Sequence, residues 1–188
     1  MEQQKIYFGT IKIENAVNAD DMLRLEGFCC HFNTRNLNDE IVTPSSFDKF
    51  FTLYNEKKLK PNLNYNHTDT IVGGIDTIES RDKGLWMTAH LNNNVAIVRD
   101  MLTPNILSGD INGFSTEGFV AGGYDGIISH DDGSYTVKDF LLTGVAVVSN
   151  PADWDATFSV KNFIENFAKA REEEAAKALE SKRLLYFI

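Results

Sequence analysis

The chain has 188 residues, 43% hydrophobic and 11% aromatic, enough to fill the core of one domain and too apolar for a disordered chain. Its formal net charge is −9, and from Asp155 onward six acidic and six basic side chains balance, so the excess lies on the first 154 residues; such an acidic body argues against nucleic acid and against an anionic membrane surface as partners. No apolar run approaches the roughly 20 residues of a membrane span, the opening MEQQKIYFGT lacks a signal pattern, and the adjacent Cys29 and Cys30 are badly placed for an ordinary bridge, so a cytosolic, reducing setting is expected.

The pattern reads mainly as strands. Lys5 to Ile13 alternates and is rich in β-formers, and Met22 to Phe32 is a second such run. Pro44-Ser45-Ser46 opens a helix with Phe47, Phe50, Phe51 and Tyr54 at helical spacing. Thr70 to Glu79 and Leu85 to Leu91 form a hairpin across the Arg81-Asp82-Lys83-Gly84 turn. Asn94 to Leu102 predicts a second helix, ended by Pro104. Ile111 to Val120 is a strand, and the Asp131-Asp132-Gly133 turn separates a run ending near Ile128 from one long strand, Tyr135 to Val148. From about Ser159 to Lys182 the alanine- and charge-rich sequence predicts a helical tail, either a solvated helix packed by one edge or one meant for a partner or for removal. The expected architecture is α+β: a closed or nearly closed, mainly antiparallel β-barrel (residues 1–158) with flanking helices, and a C-terminal helical tail (159–188).

A hydrolase needs a nucleophile, a base and a group that orients the base. His31 and His90 fall inside strand patterns and His130 beside a turn, where packed, surface or solvated roles suffice. His67 stands in Asn-Tyr-Asn-His-Thr-Asp, a polar segment at a strand end, where site residues are commonly displayed. Ser115 lies in Gly113-Phe114-Ser115-Thr116-Glu117-Gly118, inside a strand pattern; the second glycine is one position late for the nucleophile elbow of the α/β-hydrolases. His130-Asp131-Asp132-Gly133 lacks the ligand spacing of a calcium loop, and Cys29, Cys30 and His31 lack that of a zinc site.

Taken in order, Leu25-Glu26-Gly27-Phe28, Val42-Thr43-Pro44-Ser45-Ser46-Phe47, Asn66-His67-Thr68, Ile71-Val72-Gly73-Gly74-Ile75 with Lys83-Gly84-Leu85, the Ser115 motif, and Gly144 to Ala152 resemble the prohead (procapsid maturation) serine proteases of tailed phages, relatives of the herpesvirus assemblin fold. The resemblance runs from about Leu23 to Phe158. It implies His67 as general base and Ser115 as nucleophile, with no metal or other cofactor. It also implies that relatives carry an acid in the closing strand, where this chain has Gly144 and Ala146. Asp139, at the start of that strand, is the first substitute; Glu117 is the second, since alternation puts it on the face of Ser115. Asp153 and Asp155 follow.

The resemblance further implies a capsid-maturation endopeptidase of the host cytoplasm, enclosed in the assembling procapsid. Its substrates would be scaffold and major capsid proteins, and the chain itself, and a homo-oligomer is plausible. The rival is a catalytically inactive capsid or tube assembly protein on the same barrel. Geometry separates them: an enzyme requires His67 Nε2 within hydrogen-bond reach of Ser115 Oγ, whereas a separation beyond roughly 8 Å with no mobile loop to close it fits the structural protein.

Overall fold

The computed structural model describes residues 22–161; the strand expected over Lys5–Ile13 and the tail helix after residue 161 lie outside them. Ten strands are present among these residues: β1 (Met22–His31), β2 (Glu40–Val42), β3 (Asn62–Tyr65), β4 (Ile71–Arg81), β5 (Gly84–Asn92), β6 (Gly113–Val120), β7 (Ile127–Ser129), β8 (Tyr135–Val137), β9 (Phe140–Val148) and β10 (Phe158–Lys161). Two short helices, α1 (Asp48–Asn55) and α2 (Thr103–Ser108), flank them. A seven-stranded sheet runs β10-β1-β5-β4-β3-β9-β6, and a three-stranded sheet runs β2-β8-β7.

The large sheet curls until its two ends meet at one corner. Gly113 bridges Thr157, the Phe114 N–H donates to Ala156 O at 2.8 Å, and the Phe158 N–H donates to Asn112 O at 2.9 Å. This is the mainly antiparallel, barrel-like architecture expected. Two pairings are parallel, β3 with β9 and β2 with β8. Alternation explains the core. Leu23 and Leu25 of β1 and Leu85, Met87 and Leu91 of β5 point inward and are buried, as are Phe47 and, on α1, Phe50. Phe50 stacks on Tyr54 at 5.4 Å, the helical spacing read in the sequence.

Four local readings are corrected. Tyr135 to Val148 is not one strand: β8 belongs to the small sheet and β9 to the large one, with Lys138 and Asp139 at the corner. Pro104 does not end a helix. A π turn at Val98–Leu102 leads directly into α2, whose first turn holds Pro104; the wider turn moves backbone carbonyls aside for a ring that has no N–H to give. The stop comes instead at Gly109, at φ +86°. Cys29 and Cys30 do not alternate. A β-bulge sets both opposite Leu85, so both are buried, as free thiols. Finally, Ser159–Lys161 is strand, not the start of a helix: β10 pairs with β1 from Gly27↔Phe158 to Arg24↔Lys161, so a boundary after Phe158 falls inside the sheet. Phe158 packs on Phe114 at 4.7 Å.

Candidate active site

Three adjacent strands build the site. β9 lies between β3 and β6, with Asn62↔Gly144 and Asn64↔Ala146 on one side and Glu117↔Gly144 and Ser115↔Ala146 on the other. Paired residues share a face of the sheet. One face therefore carries two asparagines, then two very small residues, then Glu117 and Ser115.

His67 reaches this face from the turn after β3. Asn66 and His67 both have positive φ, +50° and +57°, and the Thr68 N–H donates to Tyr65 O at 3.0 Å. This is a tight turn of the mirror-image kind. A non-glycine residue in the left-handed region costs on the order of 1 kcal/mol. The turn is tied to β9 by Asn66 N–H donating to Val147 O at 3.2 Å. The imidazole is thereby delivered to β6: His67 Nε2 lies 2.9 Å from Ser115 Oγ, and Nδ1 lies 3.0 Å from Glu117 Oε2. The separation beyond roughly 8 Å that the structural-protein alternative requires is not found. Ser115 is buried at 9% exposure, while the His67 side chain is 42% exposed.

The expectation that put Asp139 first as third partner is corrected by position. Asp139 precedes Phe140, which pairs with Val120, five residues along β6 from Ser115; at roughly 3.3 Å per residue that is about 17 Å. Glu117, the second choice, faces His67. Asp153 is turned to His31, whose Nδ1 it meets at 2.9 Å, and Asp155 is exposed. The sequence reading passed over three side chains here. His31 lines the same cleft, although it was read as a packed or surface residue in a strand. Asn64 donates from Nδ2 to Glu117 Oε1 at 2.5 Å, and Asn62 Oδ1 accepts from the same amide at 3.1 Å. The only prior signal was Asn-Leu-Asn-Tyr, two amides at strand spacing just before the histidine.

The cleft over Ser115 has a volume of about 480 Å³. Its walls come from the end of β1, the loop at residues 34–40, β6 and the turn at 150–153. Leu37 N–H donates to Ala152 O at 3.0 Å and closes loop onto turn. Arg35 anchors the loop by pairing with Asp39 at 2.6 Å and Asp132 at 3.4 Å. Asp132 is held below the usual carboxylate range, first by the Ser134 hydroxyl and then by the Ser134 N–H. Among the described residues the ionisable lining groups are carboxylates, imidazoles and the two thiols, with no lysine or arginine. Nor do these residues form a cluster of three or more His, Cys, Asp or Glu able to hold a metal ion, and they include no helix long and apolar enough to cross a membrane.

Cys30 also lines the cleft. Hydrogen bonding with the Cys29 side chain, followed by burial, holds its thiol well above the ordinary value of 9.0. A thiol that keeps its proton is a poor nucleophile, so iodoacetamide at pH 8 is expected to alkylate Cys30 at least about 100-fold more slowly in the native chain than in urea, as read by mass spectrometry. The folded state holds this proton where the unfolded chain releases it. The contribution to stability is therefore complete below about pH 9 and lost as pH rises further. Comparable alkylation rates in the two states would show that the bulge opens readily.

A family model describing the caudovirus prohead serine proteases matches residues 10–170. Two solved structures share the fold. The bacteriophage T4 capsid assembly protease is 20% identical, with a TM-score of 0.54, covering 68% of this chain and 82% of the phage protein. The KSHV protease, solved with a hexapeptide phosphonate inhibitor, is 12% identical, with a TM-score of 0.50, covering 85% of this chain and 75% of the viral one. No curated protein matches the chain in sequence. The family match spans most of the chain, and the chain belongs to the caudovirus prohead serine protease family.

Proposed function

We propose that this member of the prohead protease family is a serine endopeptidase of capsid maturation, working through Ser115, His67 and Glu117. The observation that carries the reading is the continuous hydrogen-bonded line from Ser115 Oγ through the imidazole to Glu117 Oε2. A serine hydroxyl is a weak nucleophile until a neighbouring base takes its proton. As Oγ attacks the peptide carbonyl carbon, its proton passes to His67 Nε2. The imidazolium so formed is stabilised at Nδ1 by the Glu117 carboxylate. His67 then gives the proton to the leaving amine nitrogen, the C–N bond breaks, and the acyl group remains on Ser115. A water molecule, deprotonated by His67, attacks the ester; the acid departs and Ser115 recovers its proton.

The family membership and the likeness to the T4 capsid assembly protease support scaffold and capsid proteins, and the chain itself, as substrates. The same likeness favours action inside the assembling procapsid, in the host cytoplasm. The test is intact-mass analysis after co-expression with the capsid and scaffold proteins of the same virus, comparing the native chain with Ser115→Ala. Fragments are expected only with the native chain. If the fragments persist with Ser115→Ala, another protease makes them. If none form, and a fluorophosphonate probe fails to label Ser115, the chain is an assembly protein rather than an enzyme.

A further inference from the structure

Asn64 is buried at 1% exposure on a strand whose other buried member, Leu63, is apolar. Both hydrogens of its amide are used, toward Glu117 Oε1 and Asn62 Oδ1, while its own Oδ1 has no hydrogen-bond partner among the described residues. The amide orientation follows from this, because turning it over would aim Oδ1 at a carboxylate and another carbonyl. The chain thus keeps an orphaned buried carbonyl, a feature that weighs against stability. A leucine of the same shape would fill the space without that penalty. Asn64 reaches Glu117 across β9, and Gly144 makes this possible: a Cβ at position 144 would lie 2.2 Å from Glu117 Oε1 and 2.7 Å from Asn62 Oδ1. Gly144 is not among the glycines with positive φ, so what the position requires is space, not backbone freedom.

We propose that Asn64 is a positioning residue: through the gap over Gly144 its amide holds one oxygen of Glu117 and so turns the other onto His67 Nδ1. This rests on the reading of Ser115, His67 and Glu117 as the working group. Among the described residues Asn64 makes no hydrogen bond to the serine or the imidazole, so its effect passes through Glu117.

The test measures the rate at which a fluorophosphonate labels Ser115, which needs no known substrate, together with the thermal unfolding midpoint. Asn64→Leu is expected to slow labelling roughly ten- to a hundredfold while leaving the midpoint unchanged or higher. In a Glu117→Ala background, the same change is expected to slow labelling no further. Gly144→Ala, which crowds the carboxylate and leaves Asn64 in place, is expected to slow labelling similarly and provides a second test if Asn64→Leu does not fold. Equal slowing by Asn64→Leu with and without Glu117, or slowing that only follows a lowered midpoint, overturns the proposal. If Glu117→Ala slows labelling but Asn64→Leu and Gly144→Ala do not, the positioning role alone fails. If Glu117→Ala has no effect, or the native chain is not labelled, the three-residue reading fails and Asn64 has nothing to position.

Discussion

Replacing Ser115 with alanine is expected to lower kcat/KM for cleavage of a peptide spanning a mapped site by about 10⁵–10⁶-fold, leaving the fold intact. The change removes one oxygen, whose hydrogen-bond partner is His67 Nε2, and alanine already occupies the paired position 146 on β9. His67→Ala is expected to cost about as much, because the oxygen and its base act as one unit, and the double variant should be no slower than either single one. Kinetics on the three variants, with unfolding midpoints as the control for folding, decide this. Activity within tenfold of native for Ser115→Ala would place the nucleophile elsewhere.

The second large effect is expected at Glu117. Glu117→Gln keeps the size of the side chain but removes the charge that stabilises the imidazolium, and it offers His67 Nδ1 an N–H as readily as an acceptor. A loss of about 10⁴-fold in kcat is expected, with the fold unchanged. Asp139→Ala, roughly 17 Å along the sheet, is expected to stay within twofold of native. The reverse outcome, with Asp139 essential and Glu117 dispensable, would mean that β6 and β9 rearrange when substrate binds.

Part of this site is legible in the sequence through the order of its motifs. Neither the histidine in a polar strand-end segment nor the glycine-flanked serine stands out by itself; the resemblance of the ordered motifs to the prohead proteases singles out both, and alternation puts Glu117 on the face of Ser115. The choice between Glu117 and Asp139 is not local. It depends on Gly144 lying opposite Glu117 and on β3 lying beside β9, and no residue pattern announces a parallel pairing between strands so far apart in the chain. β3 itself is four residues with two amides, which by composition reads as loop. The corner at Lys138-Asp139 was missed for a related reason: it has neither glycine nor proline, and both flanking runs favour strand. Cys29 and Cys30 broke the alternation rule because a bulge inserts an extra residue, which sequence periodicity does not reveal. The hairpin of β4 and β5 and the aromatic face of α1 were both read correctly, each carried by its own segment.

The place of β9 between β3 and β6 also has a consequence for the timing of synthesis. The ribosome makes the histidine turn first, the serine strand next, and the strand that joins them last. Until Phe140–Val148 emerges and inserts, His67 and Ser115 have no common scaffold, and a register slip of one residue would turn the serine to the opposite face. On the proposed reading, a half-made chain therefore carries both side chains of the site without being able to use them together, and cleavage by that site has to wait until the sheet is complete.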